Sequence, residues 1–445
     1  MSEPRKTAVS LVSLGCAKNL VDSEVMLGHL RKVGFRLTPR QEEADILIIN
    51  TCGFIRPARQ EAKTAIRRAM NFKRRRPGRR VIVAGCYVQQ SKDRLAAEFP
   101  EVDAWLGVGD FNRIDRLAAG QDIRPSRRTF LYSHLSPRLV STPSSWAYLK
   151  ISEGCSHRCS FCSIPAIKGP YRSRSQASIL AEARRLAARG VKELNLISQD
   201  STSYGRDLNL KHGLARLLEN LDAVRGLEWI RILYGYPEEV SEALLEAMRA
   251  PKVCRYLDLP FQHASPGIIQ AMGRGLAGDK ALRLLERVRE VLPQTVLRTS
   301  LIVGFQFLEG PREFKELTKF VRQARFDHLG VFIYSPEEGV PAMGLGDPVP
   351  PAEKIRRRRE LMLIQQEISF QNNRKYIGRR LEVLLDKPLN ARPRQALGRT
   401  RFQAPEVDGV VKVSSLAPLA DRLHSVCQVE ITRAGVYDLH GRLAA

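Results

Sequence analysis

The sequence lacks a long apolar stretch. A membrane-spanning helix needs about 18 or more consecutive apolar residues, and no such run occurs in the 445 residues. The N-terminal segment MSEPRKTAVS also lacks the apolar core that a secretory signal peptide requires. These absences exclude a helical membrane protein and argue against secretion, so we expect a cytoplasmic protein with no membrane partner.

Cysteine is scarce. Eight cysteines in 445 residues are too few for a disulfide scaffold, but six of them follow two patterns. Three are widely spaced near the N-terminus, and three fall within the short segment GCSHRCSFCS. In chain order these six are Cys16, Cys52, Cys86, Cys155, Cys159 and Cys162. Cys254 and Cys427 are isolated, which is typical of free buried thiols.

Acidic residues are outnumbered. The chain has 47 Asp and Glu against 72 Lys and Arg, for a formal net charge of +25. This imbalance favours an acidic partner, with nucleic acid as the first candidate. Two dense basic runs, FKRRRPGRR (72–80) and KIRRRRE (354–360), contribute to it. Such runs are also typical of solvated helix faces, so both interpretations stay open.

The first 117 residues alternate predicted strands with predicted helices. Helices are predicted at 20–34 and 57–75, and buried strands at 8–14, 44–52, 80–86 and 102–108. This order predicts an α/β domain over 1–117 built on a parallel sheet. Residues 118–145 are rich in Pro, Ser and Arg and lack periodicity, which predicts a linker.

The alternation resumes over residues 146–350 with about six strand–helix units, which include predicted strands at 191–200, 229–237 and 255–263 and a predicted helix at 238–250. Six units are fewer than the eight of a closed (β/α)8 barrel, so we expect an open partial (β/α)6 barrel. A connecting helix is predicted at 351–375, and short β-like segments over 376–445 predict a small β-barrel. The predicted fold class is therefore α/β with a C-terminal β-barrel.

The three N-terminal cysteines each follow a predicted parallel strand. Cys16, Cys52 and Cys86 stand at the carboxyl ends of the first three buried strands. In an open α/β sheet, ligands bind just outside that edge. The three thiols can therefore converge despite their separation in sequence, and we expect them to share a metal or cluster site.

The segment GCSHRCSFCS places three thiols in the pattern C-x3-C-x2-C with no fourth nearby. A structural zinc site normally closes with four ligands, whereas clustered thiolates also bind iron–sulphur clusters. A 4Fe-4S cluster held by three thiolates leaves one iron without a protein ligand, and that iron can bind a substrate or cofactor. The N-terminal set of Cys16, Cys52 and Cys86 also supplies three thiols with no evident fourth.

This segment, with Phe161 before its third cysteine, resembles the signature of the radical S-adenosylmethionine (SAM) superfamily. The N-terminal domain with its three cysteines resembles the methylthiotransferases of that superfamily, and the C-terminal barrel resembles their TRAM domain. The segments YLDLPFQHAS (256–265), RTSLIVGF (298–305) and FIYSPEEG (332–339) resemble their barrel strands. The resemblance covers about residues 8–442.

The resemblance implies two 4Fe-4S clusters and SAM as cofactors. Cys155, Cys159 and Cys162 would hold the cluster that binds SAM. Reductive cleavage of SAM would yield a 5′-deoxyadenosyl radical that removes hydrogen from an unactivated carbon, which ordinary acid–base groups cannot do. A cluster on Cys16, Cys52 and Cys86 would present sulphur, and a second SAM would supply the methyl group. An electron donor is a required partner.

Other candidate residues lie at predicted carboxyl ends of barrel strands. The resemblance implies that Phe161 contacts the SAM adenine. Gln199 and Arg298 are candidate cofactor-binding residues, and Asp200, Gln262 and His263 have similar positions. A structural role at the barrel rim stays open for each of the five strand-end residues, and no acid–base catalyst is assigned.

One loop departs from the family pattern. After Gly304 and Phe305 the methylthiotransferases usually continue Pro-Gly-Glu-Thr, whereas this chain reads GFQFLEGPREF (304–314), with one extra residue. The loop is expected near SAM, so it is either rebuilt or alters SAM binding.

The methylthiotransferases divide by substrate into two branches. One modifies an adenosine beside the tRNA anticodon, and the other, the RimO family, modifies the β-carbon of an aspartate in a small-subunit ribosomal protein (protein twelve). Net charge favours tRNA. The segments SIPAIKGPYRSR (163–174), ISQDSTSYG (197–205), GFIRPARQEA (53–62) and APEVDG (404–409) resemble the protein-modifying branch. We favour that branch, because Glu406 and Asp408 form an acidic surface signal that a basic ribosomal protein could contact.

Two other classes of function stay open. The chain could be an iron–sulphur redox sensor or electron carrier, or an RNA-binding factor with structural clusters. Neither accounts for the large barrel together with the TRAM-like module. We expect a monomer that meets its ribosomal protein on or near ribosomal RNA.

Overall fold

The N-terminal part of the chain is a parallel sheet covered by helices on both faces. The computed structural model describes residues 6–126, 130–305, 309–389 and 393–444. Its first elements are β1 (Ala8–Ser13), α1 (Ala17–Lys32), β2 (Arg36–Leu37), β3 (Ile46–Thr51), α2 (Arg56–Arg74), β4 (Arg80–Gly85), α3 (Cys86–Glu98), β5 (Ala104–Leu106) and α4 (Ile114–Ala118). The strands lie in the order β2-β1-β3-β4-β5, and all pairings are parallel, which confirms the predicted sheet.

Side-chain alternation gives this sheet two apolar faces. Leu47 and Ile49 belong to the hydrophobic cluster that includes α2 and α3. Ile48, which points the other way, belongs to the cluster that includes α1 and α4. Strands buried on both faces read as continuous apolar runs, and this explains segments such as ADILIIN.

The central part is built from fifteen elements in chain order. They are β6 (Trp146–Lys150), β7 (Ser152–Glu153), α5 (Ile164–Lys168), β8 (Arg172–Ser173), α6 (Gln176–Ala188), β9 (Glu193–Ile197), α7 (Gly213–Asp222), β10 (Trp229–Ile232), α8 (Glu242–Ala247), β11 (Tyr256–Asp258), α9 (Pro266–Ala271), α10 (Gly278–Val291), β12 (Val296–Val303), α11 (Pro311–Ala324) and β13 (His328–Ile333). Strands β7 and β8 form a short antiparallel ribbon.

Six parallel strands of this set form the expected open barrel. Strands β6, β9 and β10 pair in one group, and β11, β12 and β13 pair in another. A parallel bridge between Ile230 and Val253 joins the two groups. The strands thus lie in chain order, and the predicted partial (β/α)6 barrel is confirmed.

Three barrel strands end earlier than predicted. Strand β9 ends at Ile197 rather than near residue 200, β10 ends at Ile232, and β11 ends at Asp258. Tyr234 (φ +62°) and Gln262 (φ +70°) adopt left-handed backbone conformations just beyond β10 and β11. Such a residue cannot continue a strand, so the chain turns there toward the mouth of the barrel.

The C-terminal part adds a long helix and a small closed barrel. Its elements are α12 (Pro351–Arg374), β14 (Arg380–Pro388), β15 (Gln395–Arg399), β16 (Val411–Ser414), β17 (Val426–Ala434) and β18 (Leu439–Leu443). The barrel closes in the order β14-β15-β16-β18-β17, as predicted. Within the described ranges, no helix is long and apolar enough to cross a bilayer.

Short 3₁₀ helices punctuate the connections. They lie at Gln41–Glu43, Phe111–Arg113, Arg206–Leu208, Pro237–Glu239, Pro341–Leu345 and Ala420–Arg422. The 3₁₀ helix Pro237–Glu239 replaces the first turn of the α-helix predicted at 238–250. Helix α8 therefore begins only at Glu242 and is shorter than predicted.

The connection between β15 and β16, which we call the plug segment (400–410), closes the amino-terminal end of the partial barrel. Just before it, Arg399 pairs with Glu193 at 2.7 Å, and Arg231 pairs with the same carboxylate at 2.9 Å. Within it, Asp408 accepts a 2.6 Å hydrogen bond from the Tyr256 hydroxyl. The C-terminal barrel therefore completes the interior of the central barrel.

Candidate functional site

The three N-terminal cysteines lie at one edge of the first sheet. Cys16 precedes α1, Cys52 follows β3 directly, and Cys86 opens α3. Strands β1, β3 and β4 are adjacent and parallel, so the expected convergence is confirmed at the level of the strand ends. Gly15 (φ +90°) permits this approach, because a Cβ there would lie 2.7 Å from the Cys52 Cβ.

The thiols of this set influence one another electrostatically. Burial raises the pKa of Cys86 to about 12; Lys168 opposes this shift, while Cys16 and Cys52 add to it. Burial likewise raises the pKa of Cys52, and a backbone hydrogen bond from Phe54 lowers it. Burial therefore favours the neutral thiols of Cys52 and Cys86 until a cationic group is bound.

The second set lies on a loop between β7 and α5. Gly154 (φ +83°) opens the loop where a Cβ would lie 2.2 Å from the Pro170 carbonyl oxygen. Burial raises the pKa of Cys155 to about 11 and that of Cys162 to about 12, and Cys159 raises both further. The three thiols thus lie close to one another on the loop that follows β7.

This cysteine loop is held from two sides. On one side, the Ser160 backbone N–H donates to the Met272 carbonyl at 3.0 Å. On the other side, the His157 ring stacks on Tyr236 with centroids 3.7 Å apart and planes 6° apart. The His157 Nε2 lies 2.6 Å from Asp200 Oδ2. The loop is therefore positioned by the barrel before any cofactor binds.

The donor sets fit a cluster better than a single ion. Over the described part of the chain, no three His, Cys, Asp or Glu side chains are spaced to hold one metal ion. Each set supplies three thiols, and thiolates are the protein ligands of 4Fe-4S clusters. The residues present therefore fit two three-thiolate clusters.

Asp200 orients His157 rather than facing the cavity freely. Its carboxylate also accepts the Thr202 backbone N–H at 2.9 Å and the hydroxyls of Thr202 and Ser203. Burial would raise the pKa of Asp200, but hydrogen bonds from His157, Ser203 and Thr202 lower it. These contacts favour a structural role for Asp200 at the barrel rim.

Gln199 lies beside a buried network of four charges. Its Nε2 donates to Glu153 at 2.7 Å, while its Oε1 is buried without a partner among the described residues. Glu153 and Asp22 each contact both Lys150 and Lys168. We call these four residues the charge quartet. The unpaired Oε1 can accept a hydrogen bond from a ligand.

Arg298 is enclosed by carboxylates. Its guanidinium donates to Asp258 at 2.8 Å and lies 3.6 Å from Asp408. Burial would lower the pKa of Arg298, but the two carboxylates keep it above its usual value. The Asp408 side chain is only 1% exposed, so its assignment to an acidic surface is wrong. Glu406 is exposed and accepts the Tyr148 hydroxyl at 3.0 Å.

Phe161 is half-buried in a cluster beneath the cysteine loop. The Arg274 guanidinium lies 6.0 Å from its ring and 4.5 Å from the ring of Tyr236. This arrangement provides an aromatic and cationic surface beside the second set. Arg274 was not singled out from the sequence, because a lone arginine in GRG carries no spacing signal.

Gln262 and His263 have different environments. Gln262 is partly exposed on its left-handed backbone, and its chain bridges to Leu301. His263 is buried, and its Nδ1 accepts the Ser265 N–H at 3.0 Å. Burial lowers the pKa of His263 to about 3, and Arg357 lowers it further. A buried neutral imidazole favours the structural interpretation for His263.

The divergent loop is anchored to α12. Glu309 accepts the Phe305 backbone N–H at 2.9 Å and pairs with Arg357 at 3.0 Å. Residues 306–308, where the sequence departs from the family pattern, lie outside the described residues. The described flanks of the loop are therefore held to α12, and the prediction that the loop is rebuilt or alters SAM binding falls on residues outside the described ranges.

Sequence reasoning missed Lys18 and Tyr234. The Lys18 ammonium lies 3.2 Å from the centre of the Tyr234 ring. The segment GCAKN carried a signal, because a lysine two residues beyond a candidate ligand faces the same site. Tyr234 had none, because a left-handed backbone at a tyrosine cannot be read from residue type.

Three family models match consecutive parts of the chain. Residues 8–107 match a family described as uncharacterized protein family UPF0004, residues 149–321 match the radical SAM superfamily, and residues 377–444 match the TRAM domain. These segments correspond to the sheet, the partial barrel and the closed barrel.

Similarity to curated proteins extends over the whole chain. The ribosomal protein uS12 methylthiotransferase RimO of Aquifex aeolicus (strain VF5) is 45% identical over 98% of this chain and 96% of its own length. The chain belongs to the RimO family. The RimO of Pelobacter propionicus is 44% identical over 100% of this chain and 99% of its own.

Solved structures show the same fold at low sequence identity. The radical SAM methyltransferase TsrM of Kitasatospora setae, solved with cobalamin and a 4Fe-4S cluster, has a TM-score of 0.55 and 15% identity. It covers 76% of this RimO-family chain, and the match covers 74% of TsrM. At this identity the likeness concerns the fold alone.

Proposed function

We propose that this chain adds a methylthio group to the β-carbon of an aspartate in ribosomal protein uS12. The observation that carries the proposal is the presence of two three-thiol sites, one at the sheet edge and one on the barrel loop, in a chain that is similar to RimO proteins over its full length. Each site ends one thiol short of a four-ligand set.

The proposal includes the ligands of the two clusters. Cys155, Cys159 and Cys162 would hold one 4Fe-4S cluster with an open iron for SAM. The N-terminal set would hold the second cluster. When bound, the clusters and SAM supply the electron, the radical that removes hydrogen, the sulphur and the methyl group.

Side chains around the cysteine loop would bind and orient SAM. Phe161 and Arg274 offer an aromatic and cationic surface for the adenine. The Gln199 Oε1, held by the bond from its own Nε2 to Glu153, can accept a donor of the cofactor. The charge of Arg298 is already balanced by Asp258 and Asp408. Arg298 would therefore contribute to cofactor binding by its position rather than by its net charge.

Contacts of the basic runs weaken the tRNA alternative. In the run at 72–80, Lys73 pairs with Asp103 at 2.8 Å and Arg74 pairs with Glu101 at 2.7 Å. In the run at 354–360, Lys354 pairs with Asp347. These charges are partly neutralised within the protein, so the runs are weaker polyanion sites than their sequence predicts. The TRAM match keeps ribosomal RNA as a further proposed contact.

The remaining assignments are part of the same proposal. The protein would act in the cytoplasm as a monomer and would receive electrons from a reductant. The redox-sensor alternative does not account for the unpaired acceptor and the aromatic surface beside the cysteine loop.

Mass measurements test the substrate directly. Deleting the gene should lower the mass of uS12 by one CH2S unit while leaving tRNA adenosines unchanged. The reverse result would overturn the choice of substrate. Reconstituted protein with reductant and SAM should release 5′-deoxyadenosine, and its absence would contradict radical chemistry.

A further inference from the structure

Lys18 is a buried cation that pairs with no carboxylate of the described residues. It lies in the first turn of α1, two residues beyond Cys16, and is only 9% exposed. Among the residues that the structure describes, no carboxylate oxygen lies within 4.0 Å of its ammonium. Burying an unpaired charge is costly unless a ligand compensates for it.

The charges nearest to Lys18 are already committed elsewhere. Asp258, on β11, accepts Arg298 at 2.8 Å through one oxygen and the Tyr234 backbone N–H at 3.1 Å through the other. The charge quartet is internally balanced, with two lysines and two carboxylates. The nearest partner of Lys18 is thus Tyr234, through its ring face and a side-chain hydrogen bond, which is a weak substitute for an anion.

Strained backbone holds that ring in place. Tyr234 has φ +62°, which is rare for an aromatic residue. The conformation is fixed by the bond to Asp258 and by a 2.8 Å bond from the Ser201 N–H to the Tyr234 carbonyl. Strain of this kind persists where the surroundings enforce it, and it is concentrated at functional sites.

Lys18 lies between the two halves of the candidate site. On the side of the sheet it follows Cys16 in the first turn of α1, and on the side of the barrel its ammonium lies 3.2 Å from the centre of the Tyr234 ring. An anion bound to its ammonium would therefore lie beside the N-terminal thiols and at the mouth of the barrel.

We propose that Lys18 binds the carboxylate of the target aspartate and so selects an acidic substrate side chain. The inference rests on the proposed function. The β-carbon of aspartate is bonded directly to its carboxyl carbon, so the group that binds the carboxylate must lie next to the source of sulphur. Lys18 meets this condition because it follows Cys16 by two residues. An adenosine carries no carboxylate and would leave the ammonium unpaired.

A rival role for the same charge makes a different prediction. Lys18 could instead balance the negative charge of a cluster on the N-terminal thiols. In that case its removal would shift the reduction potential of that cluster and would affect aspartate and asparagine substrates equally.

The test compares two substrates and three proteins. After the modified aspartate of uS12 has been mapped by mass spectrometry, wild-type and Lys18→Met enzymes are assayed with uS12 and with its Asp→Asn variant at that position. We expect Lys18→Met to lower kcat/KM for the aspartate substrate roughly 100-fold and to abolish the preference for aspartate over asparagine. Lys32→Met, an exposed lysine of the same helix, is the matched control and should behave as wild type.

Readouts other than turnover separate the outcomes. Iron content should be unchanged in Lys18→Met, and iron content, cluster potential and 5′-deoxyadenosine release without uS12 should all be unchanged in the control Lys32→Met. An unchanged aspartate preference, or a shifted potential with unchanged preference, would overturn the inference. If Lys18→Met does not fold, Lys18→Arg is tested instead. This variant keeps the cation, so the inference requires it to retain the preference for aspartate over asparagine. Loss of that preference in Lys18→Arg would count against the inference. If the wild type leaves uS12 unmodified, the proposed function itself fails.

Discussion

The two three-cysteine sites are built in opposite ways. The barrel set lies within eight residues of one loop, which is held by contacts to β9, β10 and α9. The N-terminal set comes from three strand ends spread over 71 residues and depends on the pairing of β1, β3 and β4. The loop can be recognised from spacing alone, whereas the dispersed set exists only because the sheet folds. Each site should therefore fail for its own reason.

Glycine substitutions should separate the two sites most strongly. Gly15→Val would place a Cβ against Cys52 on a left-handed backbone, so we expect loss of the N-terminal cluster and about half of the bound iron. Gly154→Val would collide with Pro170 and should remove only the barrel cluster. Iron analysis and electron paramagnetic resonance distinguish the two. Gly34→Asn, at an open left-handed position, is the control. Loss of both clusters in either variant would contradict independent assembly.

The charge quartet joins the two sites, and breaking it should cost stability. Lys150 is 1% exposed and contacts both Asp22 and Glu153. Lys150→Met would leave buried carboxylates short of one partner and should destabilise the fold by about 3 kcal/mol. Lys63→Met breaks an exposed pair with Glu98 and should cost less than about 1 kcal/mol. Denaturant unfolding measures both, and equal effects would show that the quartet contributes little.

Acid should weaken the barrel through His263. Because burial lowers its pKa to about 3, the unfolded chain binds this proton first as the pH falls below its ordinary value of 6.5. Stability should therefore decrease by about 1 kcal/mol between pH 6 and pH 5 from this group. His263→Asn, whose amide oxygen can accept the Ser265 N–H, should remove that part of the slope. Urea midpoints at several pH values check it, and an unchanged slope would contradict the assignment.

Asp200→Asn should produce the smallest effect. The amide oxygen can still accept His157 and Ser203 in place of Oδ2, whereas the two bonds that Thr202 donates to Oδ1 are lost. The cysteine loop should therefore keep its position, and SAM binding should weaken by no more than about 1 kcal/mol. Asp200→Ala removes the acceptor and should weaken binding further. The SAM-induced change in the resonance spectrum of the barrel cluster reports both variants. A large effect of Asp200→Asn would show that the charge, rather than the geometry, matters.

The same contrast explains what could be predicted from sequence. The cysteine loop and the strand-end thiols followed from local spacing and from the strand–helix alternation. The pairings of Asp200 with His157 and of Asp408 with Arg298 could not be predicted, because the paired residues lie 43 and 110 residues apart in sequence, respectively. The contact of Lys18 with the Tyr234 ring could not be predicted either, because it depends on the docking of the sheet on the barrel and on the left-handed backbone of the tyrosine. Gln199, Arg298 and Phe161 stay proposals as cofactor-binding residues.

The plug segment also has a consequence for the order in which the chain is made. Glu193 and Arg231, buried in the central barrel, receive Arg399 and the plug segment only from the last quarter of the sequence. Because synthesis proceeds from the N-terminus, the central partial barrel is made before the C-terminal barrel. Its interior stays incomplete until the plug segment has been synthesised. The docking of that barrel is therefore a late step in folding, and a chain cut short after α12 would leave the Glu193–Arg231 pair without its contacts to Arg399 and the plug segment.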